Sequence, residues 1–310
     1  MLWLVWRQHR WQLLAVAALT AAYCGYLLWL VRAAPEAVRL CGPLDPECTE
    51  LNQLIPRWTN AVFIGNLLPV AVGVFWGAPL LAHEVEQGTI RLAFTQSVSR
   101  RRWLAAKLGV LGGVAVLLGL AVGATVSWST PRLDAFSSPP FGNDLLFSQA
   151  GLMPAATWVF ALLAGVAFGA FVRRLMPAVA ATVVALSLAF AGLIALRPHL
   201  IPPVDRIAVT QQEFVGDPGP EAIESGWIYR VSYLDKDGHE LSSAAAGRVC
   251  ADPSNSAPTT ECVDRIGLRQ RVVYQPANRY VWFQLAEGGL LLVVSAGLAW
   301  AVRRRVAEVV

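Results

Sequence analysis

Few residues in this 310-residue chain are arranged to do chemistry. His83-Glu84 begins like the H-E-x-x-H helix that holds zinc, but the position of the second imidazole is Gln87, so a zinc hydrolase site is unsupported. His9, His199 and His239 are scattered and assemble neither a metal cluster nor a triad. The only two lysines, Lys107 and Lys236, follow Ala106 and Asp235. A Walker A loop needs Gly-Lys so that the ammonium reaches the β/γ-phosphates. Any ATP chemistry must therefore come from another polypeptide. Of the five cysteines, Cys24 lies in an apolar run, and Cys41, Cys48, Cys250 and Cys262 form two local pairs in polar segments. Their spacing is wider than zinc sites favour, so disulfides Cys41–Cys48 and Cys250–Cys262 are expected if both segments face an oxidising compartment. No metal site and no cofactor of the chain's own is expected.

The most ordered polar stretch runs from Trp76 to Lys107, between long apolar runs. Glu84 and Glu86 stand where an incoming membrane helix must end. Gly88-Thr89 offers a flexible break and then a residue able to cap a new helix. Ile90, Ala93, Phe94 and Ser97 recur at helical spacing and predict a short helix with one apolar face. Arg100, Arg101 and Arg102 precede the next apolar run, where positive charge holds a helix end on the cytoplasmic side.

At these residues the chain resembles type-2 ABC transporter permeases, and most closely the six-span form of high-GC Gram-positive bacteria. The resemblance is carried by Glu84, Glu86, Gly88, Thr89, Arg91, Leu92, Thr95, Gln96, Ser97, Arg100, Arg102 and Trp103. A weaker likeness runs from Tyr274 to Tyr280 and through Phe283, Gln284 and Glu287, like the lead-in to the family's last span. The resemblance implies that segment 83–103 contains a coupling helix docking on an ATPase, with Ile90 and Phe94 as apolar anchors. It also implies a dimer of permeases with two ABC ATPase subunits, which would bind the ATP and Mg.

Composition sets the elements that must position these residues. The chain is 55% hydrophobic and 15% charged with a mean hydropathy of +0.49. A soluble domain carries about 25% charged residues, so this is an integral membrane protein. The net charge of +4 has no basic stripe with interleaved aromatics behind it, which argues against nucleic acid. Residues 1–11 place Trp3, Trp6 and Trp11 among Arg7, His9 and Arg10, the pattern of a short helix at the membrane surface. Six apolar runs follow, over 12–31, 61–82, 104–127, 151–172, up to 196, and 281–302. Crossing the hydrocarbon core takes about 20 residues. The first run is too long for a signal-peptide core and is expected to be retained. Pro69 and Pro79 should kink the second span. Gly119-x-x-x-Gly123 and Gly165-x-x-x-Gly169 would allow helices to approach closely.

The expected fold is all-α, with spans 1–5 within 12–196 and the sixth span and tail in 280–310. A small, partly β external domain is expected over 197–279. Within it Trp227–Leu234 alternates like a strand, and Asp235-Lys-Asp-Gly238 is a turn signal for a hairpin. With both termini inside, twelve basic residues face three acidic ones on the cytoplasmic side, as the positive-inside rule requires. That orientation puts the four paired cysteines outside. The chain is thus expected in the cell membrane.

Glu287 is the misfit. It lies seven positions into the last run, about 10 Å down a helix at 1.5 Å per residue. The expectation is a buried or cavity-facing carboxylate at the outer end of a transport path. It would pair with Arg279 or with a polar group on the second or fifth span, as an outer gate. The exporter of a hydrophobic or amphipathic substrate is the preferred function. A non-transporting membrane sensor or assembly partner, binding through the external domain, is the alternative. An ion-coupled carrier would need more intramembrane charge than Glu287 supplies.

Overall fold

The computed structural model describes residues 2–41, 49–86, 100–133, 141–208, 226–242 and 269–308, with Ala245 and Gly267. The chain divides into two compact units. One, helical, comprises 1–140, 144–197 and 284–310; the other comprises 141–143 and 198–283.

Among the described residues six helical stretches are long and apolar enough to cross a membrane: Trp6–Ala33, Pro56–His83, Arg102–Pro131, Met153–Val172, Leu175–Leu200 and Ala277–Ala307. The first belongs to α1 (Leu2–Cys41), which runs unbroken through the Trp-rich residues expected as a separate surface helix. The second is assembled from α2 (Thr49–Gly65), α3 (Leu68–Val72), a π turn (Gly73–Gly77) and α4 (Ala78–Glu86). Pro69 and Pro79 act differently. Pro69 sits in the first turn of α3, just after a break at Asn66-Leu67, where its missing N–H leaves no bond unmade. Pro79 cannot donate to Phe75, and its ring crowds that carbonyl. The helix widens just before it, and Ala78 N–H reaches back to Gly73 O.

Spans three to six are α5 (Arg100–Leu133), α7 (Met153–Val172), α8 (Leu175–Leu200) and α9 (Tyr280–Glu308). The short α6 (Asp144–Gln149) precedes the fourth span. Span four is apolar all round, and 67% of its apolar window is buried, against 17% for span five. It therefore forms the centre of the helical unit. Glycines set its approach to span two. A Cβ on Gly77 would lie 2.5 Å from Leu162 O and 2.9 Å from Gly165 Cα. A Cβ on Gly165 would collide with Gly73 O. Span three approaches the same helix through Gly119, where a Cβ would stand 2.7 Å from Ala155 Cα, and through Gly123 against Gly151 O. Leu27, Leu30, Trp58, Leu81, Leu111 and Trp158 fill the core among these helices. By contrast Met176, Val184 and Leu188 of span five, and Leu292 and Val293 of span six, are exposed apolar side chains, as a lipid-facing surface requires.

The second unit holds a four-stranded antiparallel sheet: β1 (Val204–Ala208), β2 (Trp227–Leu234), β3 (Glu240–Ser242) and β4 (Arg269–Gln275), in the order β1-β4-β2-β3. The β2–β3 hairpin turns at Asp235–Gly238, as the sequence predicts. Gly238 adopts φ 85, and Asp235 Oδ1 accepts from the Asp237 and His239 amides. The β2–β4 register shifts between Ile228 and Arg230, so Tyr229 has no opposite number and bulges. Phe141 packs on Trp227, Tyr280 and Phe283 at ring-centroid distances of 5.2–5.8 Å, an aromatic cluster within this unit.

Candidate functional site

Span five ends its apolar run at Arg197, and Glu287 lies two turns into α9. Arg197 Nε donates to Glu287 Oε1 at 2.5 Å and Nη2 to Oε2 at 3.2 Å, a two-pronged fork. Its Nη1 donates to Asp144 Oδ1 at 2.5 Å. Arg197 Cζ stands 3.9 Å from the centre of the Phe147 ring, so the guanidinium also lies on an aromatic face. Arg197 is 2% exposed and Glu287 1%, whereas the Asp144 side chain is 42% exposed. A buried carboxylate without a partner is prohibitively costly, and the fork is what lets Glu287 remain inside. Two carboxylates against one guanidinium leave the cluster with a formal charge of −1.

Asp144 and Phe147 are placed by α6, and four side chains hold that helix. Asp144 starts it, where a negative charge suits the helix dipole. Asn66, in the break of span two, donates to Leu145 O at 3.4 Å and accepts from Ser148 Oγ at 2.5 Å. Gln284, one turn before Glu287 on the same face of α9, donates to Ala150 O at 2.9 Å. Ser127 of span three accepts from Gly151 N–H at 2.8 Å. Gly151 has φ 62, and a Cβ there would run into the Gln284 amide. The short helix between spans three and four is thus pinned from spans two, three and six. A cavity of about 160 Å³ opens beside Arg197 and Glu287, walled by Phe190, Leu193 and Met153, with Thr157 and Gln149 among its polar lining.

The other sequence candidates lie elsewhere. Arg279 donates to Pro202 O and Gln275 Oε1, both at 2.8 Å. Gly88, Thr89, Ile90, Arg91, Leu92, Phe94, Thr95 and Gln96 lie outside the described residues, as do the side chains of Glu84 and Arg100. Glu86 is exposed, and its Oε2 accepts from Leu175 N–H at 3.4 Å, at the start of span five. Arg7 lies over the Trp3 ring and Arg10 over the Trp11 ring. Arg102 is exposed at the start of span three. The side chains of Cys41, Cys48, Cys250 and Cys262 are outside the described residues, and Cys24 is a free thiol. The hairpin turn gathers Asp235, Asp237 and His239, with ligand atoms within 4.8 Å of one another. Asp235 is committed there to its neighbours: the His239 amide, first, holds its carboxyl below the usual range.

Asp144 and Arg197 were not singled out from sequence. The available signal was an arginine closing an otherwise uncharged span opposite a span with an unexplained acid. Asn66 and Gln149 carried no signal.

No curated protein and no solved structure matches the chain. The family model described as ABC-2 membrane transporter related matches residues 13–197, well over half of its length. The chain therefore belongs to the ABC-2 membrane transporter related family, as a multi-pass permease component of an ABC transporter rather than its catalytic subunit.

Proposed function

We propose that the chain is the membrane-spanning subunit of an ABC exporter. In this reading it forms a homodimer with two ATPase subunits on the cytoplasmic side. The observation that carries the reading is the family match, whose range takes in five of the six spans and the segment 83–103. The arginine distribution supports both termini inside the cell membrane, which puts that segment on the ATPase side. ATP binding closes the partner pair. The segment 89–98 passes the motion to span two on one side and span three on the other. Span two is broken at Asn66 and widened at Gly73–Gly77, and both irregularities supply places for it to bend.

The Arg197–Glu287–Asp144 cluster then sits at the external ends of spans five and six and latches the outer gate. Asn66 links the broken span to α6, and α6 carries Asp144. A movement of span two therefore bears on the latch.

The test is purification of the tagged full chain from membranes of its native host. A polypeptide with Walker motifs should co-purify in a fixed ratio. Phe94→Ala should reduce its recovery, since losing a well-packed interface anchor costs about 2 kcal/mol or more. Absence of any such ATPase, or recovery indifferent to Phe94, contradicts the reading.

A further inference from the structure

The cavity beside the latch has an unbalanced lining. Two carboxylates face one guanidinium, so its field is negative. Gln149 lines the cavity and is 1% exposed, and its Oε1, near Gly65, is buried without a hydrogen-bond partner. A buried amide oxygen left unpaired costs free energy that a donor entering the cavity would return. Phe190, Leu193 and Met153 give the lining its apolar part. An engineered apolar cavity of about 150 Å³ holds a benzene ring, so this one has room for a ring-sized group.

We propose that this cavity binds an amphipathic organic cation. Its ammonium lies toward Asp144 and Gln149 Oε1, and its apolar body lies against Phe190, Leu193 and Met153. An anion would add to an excess of negative charge, and a neutral ligand would leave that excess uncompensated. The accessible side of Asp144 gives the ammonium a place to arrive without first breaking the Arg197–Glu287 fork. Once there it competes with Arg197 Nη1 for Asp144, so occupancy loosens one arm of the latch. That the cation is also the exported cargo rests on the permease reading; the binding site does not.

The experiment uses the full chain, without ATPase, in lipid nanodiscs. Three probes of similar size are compared: 2-phenylethylammonium, 2-phenylethanol and phenylacetate. Saturable binding is read by ligand-observed NMR, with nanodiscs of the Asp144→Asn and Gln149→Leu variants as controls for partition into lipid. The ammonium should bind about tenfold or more tighter than either other probe, as one charge-assisted hydrogen bond predicts. Asp144→Asn should remove that preference, and Gln149→Leu should weaken the ammonium alone. Should Asp144→Asn fail to fold, Gln149→Leu decides, because its Oε1 makes no bond within the protein. No saturable ammonium binding, equal binding of the neutral probe, preference for phenylacetate, or binding indifferent to the folded variants overturns the proposal. None of these results touches the permease reading, which stands or falls on the ATPase.

Discussion

Arg197→Met removes the guanidinium and leaves Glu287 buried with no cation. Breaking a buried ion pair from one side costs about 3–5 kcal/mol, because the remaining charge is stranded. Asp144 adds little to this loss. Its side chain is 42% exposed and can return to water, so its share is the about 0–1 kcal/mol of a solvent-screened pair. Glu287→Leu should be milder than Arg197→Met, since Arg197 keeps Asp144 and the Phe147 ring. Replacing both members with apolar residues of similar volume is neutral or stabilising by about 1–4 kcal/mol. Arg197→Met with Glu287→Leu should therefore recover most of the loss seen in Arg197→Met alone. Reversible unfolding in mixed micelles, titrated with SDS, measures all four proteins of this cycle. If the double variant loses the sum of the two single losses to within about 0.5 kcal/mol, the two side chains are not coupled and the buried fork is wrong. The same double variant, folded but unlatched, should transport or hydrolyse ATP differently from the parent, which separates the gate from the fold.

Two helix glycines should respond oppositely to alanine. Gly165→Ala drives a Cβ into Gly73 O and should lower the unfolding midpoint, while Gly289→Ala meets nothing within 4 Å and should gain about 1 kcal/mol of helix propensity. In the sheet unit the Arg271 guanidinium holds the Asp205 carboxyl below the usual carboxylate range. A depressed acid stabilises the fold above its unfolded pKa of about 4, and that contribution drains away as pH falls through the lower, folded value. Asp205→Asn should flatten the acid limb of the sheet's stability against pH by lowering stability at neutral pH, and leave it nearly unchanged at the acid end. Peptide mapping without reductant should find Cys41 joined to Cys48 and Cys250 to Cys262, and free thiols at all four would remove the oxidising-side assignment.

The six spans were legible because each is a long uncharged run, and no other structure satisfies the backbone of such a run in lipid. The hairpin was legible because Asp235–Gly238 combines an aspartate able to hold its own turn with a glycine able to take positive φ. The site was half legible. Glu287 announced itself by depth, since an acid that far into a span must find a partner. Its partner was legible only as far as the fifth span, without the residue. Arg197 is 90 positions away and Asp144 lies on another helix again, and only the packing of α6 brings them together. The notable absence of charge in the spans pointed attention to Arg279, which is near in sequence but two turns away along the helix. The π turn was equally hidden. Pro79 marks where the helix must yield, but the pattern does not say whether it kinks or widens; the widened stretch is the one that lies against Gly165.

In the proposed reading this chain converts a partner's ATP hydrolysis into movement across a membrane. The most direct test is ATP hydrolysis in proteoliposomes by the co-purifying ATPase, alone, with this chain, and with its Phe94→Ala variant. The expected result is a higher rate per ATPase when the chain is present and a return toward the rate of the ATPase alone with Phe94→Ala. The same rate in all three preparations would contradict it.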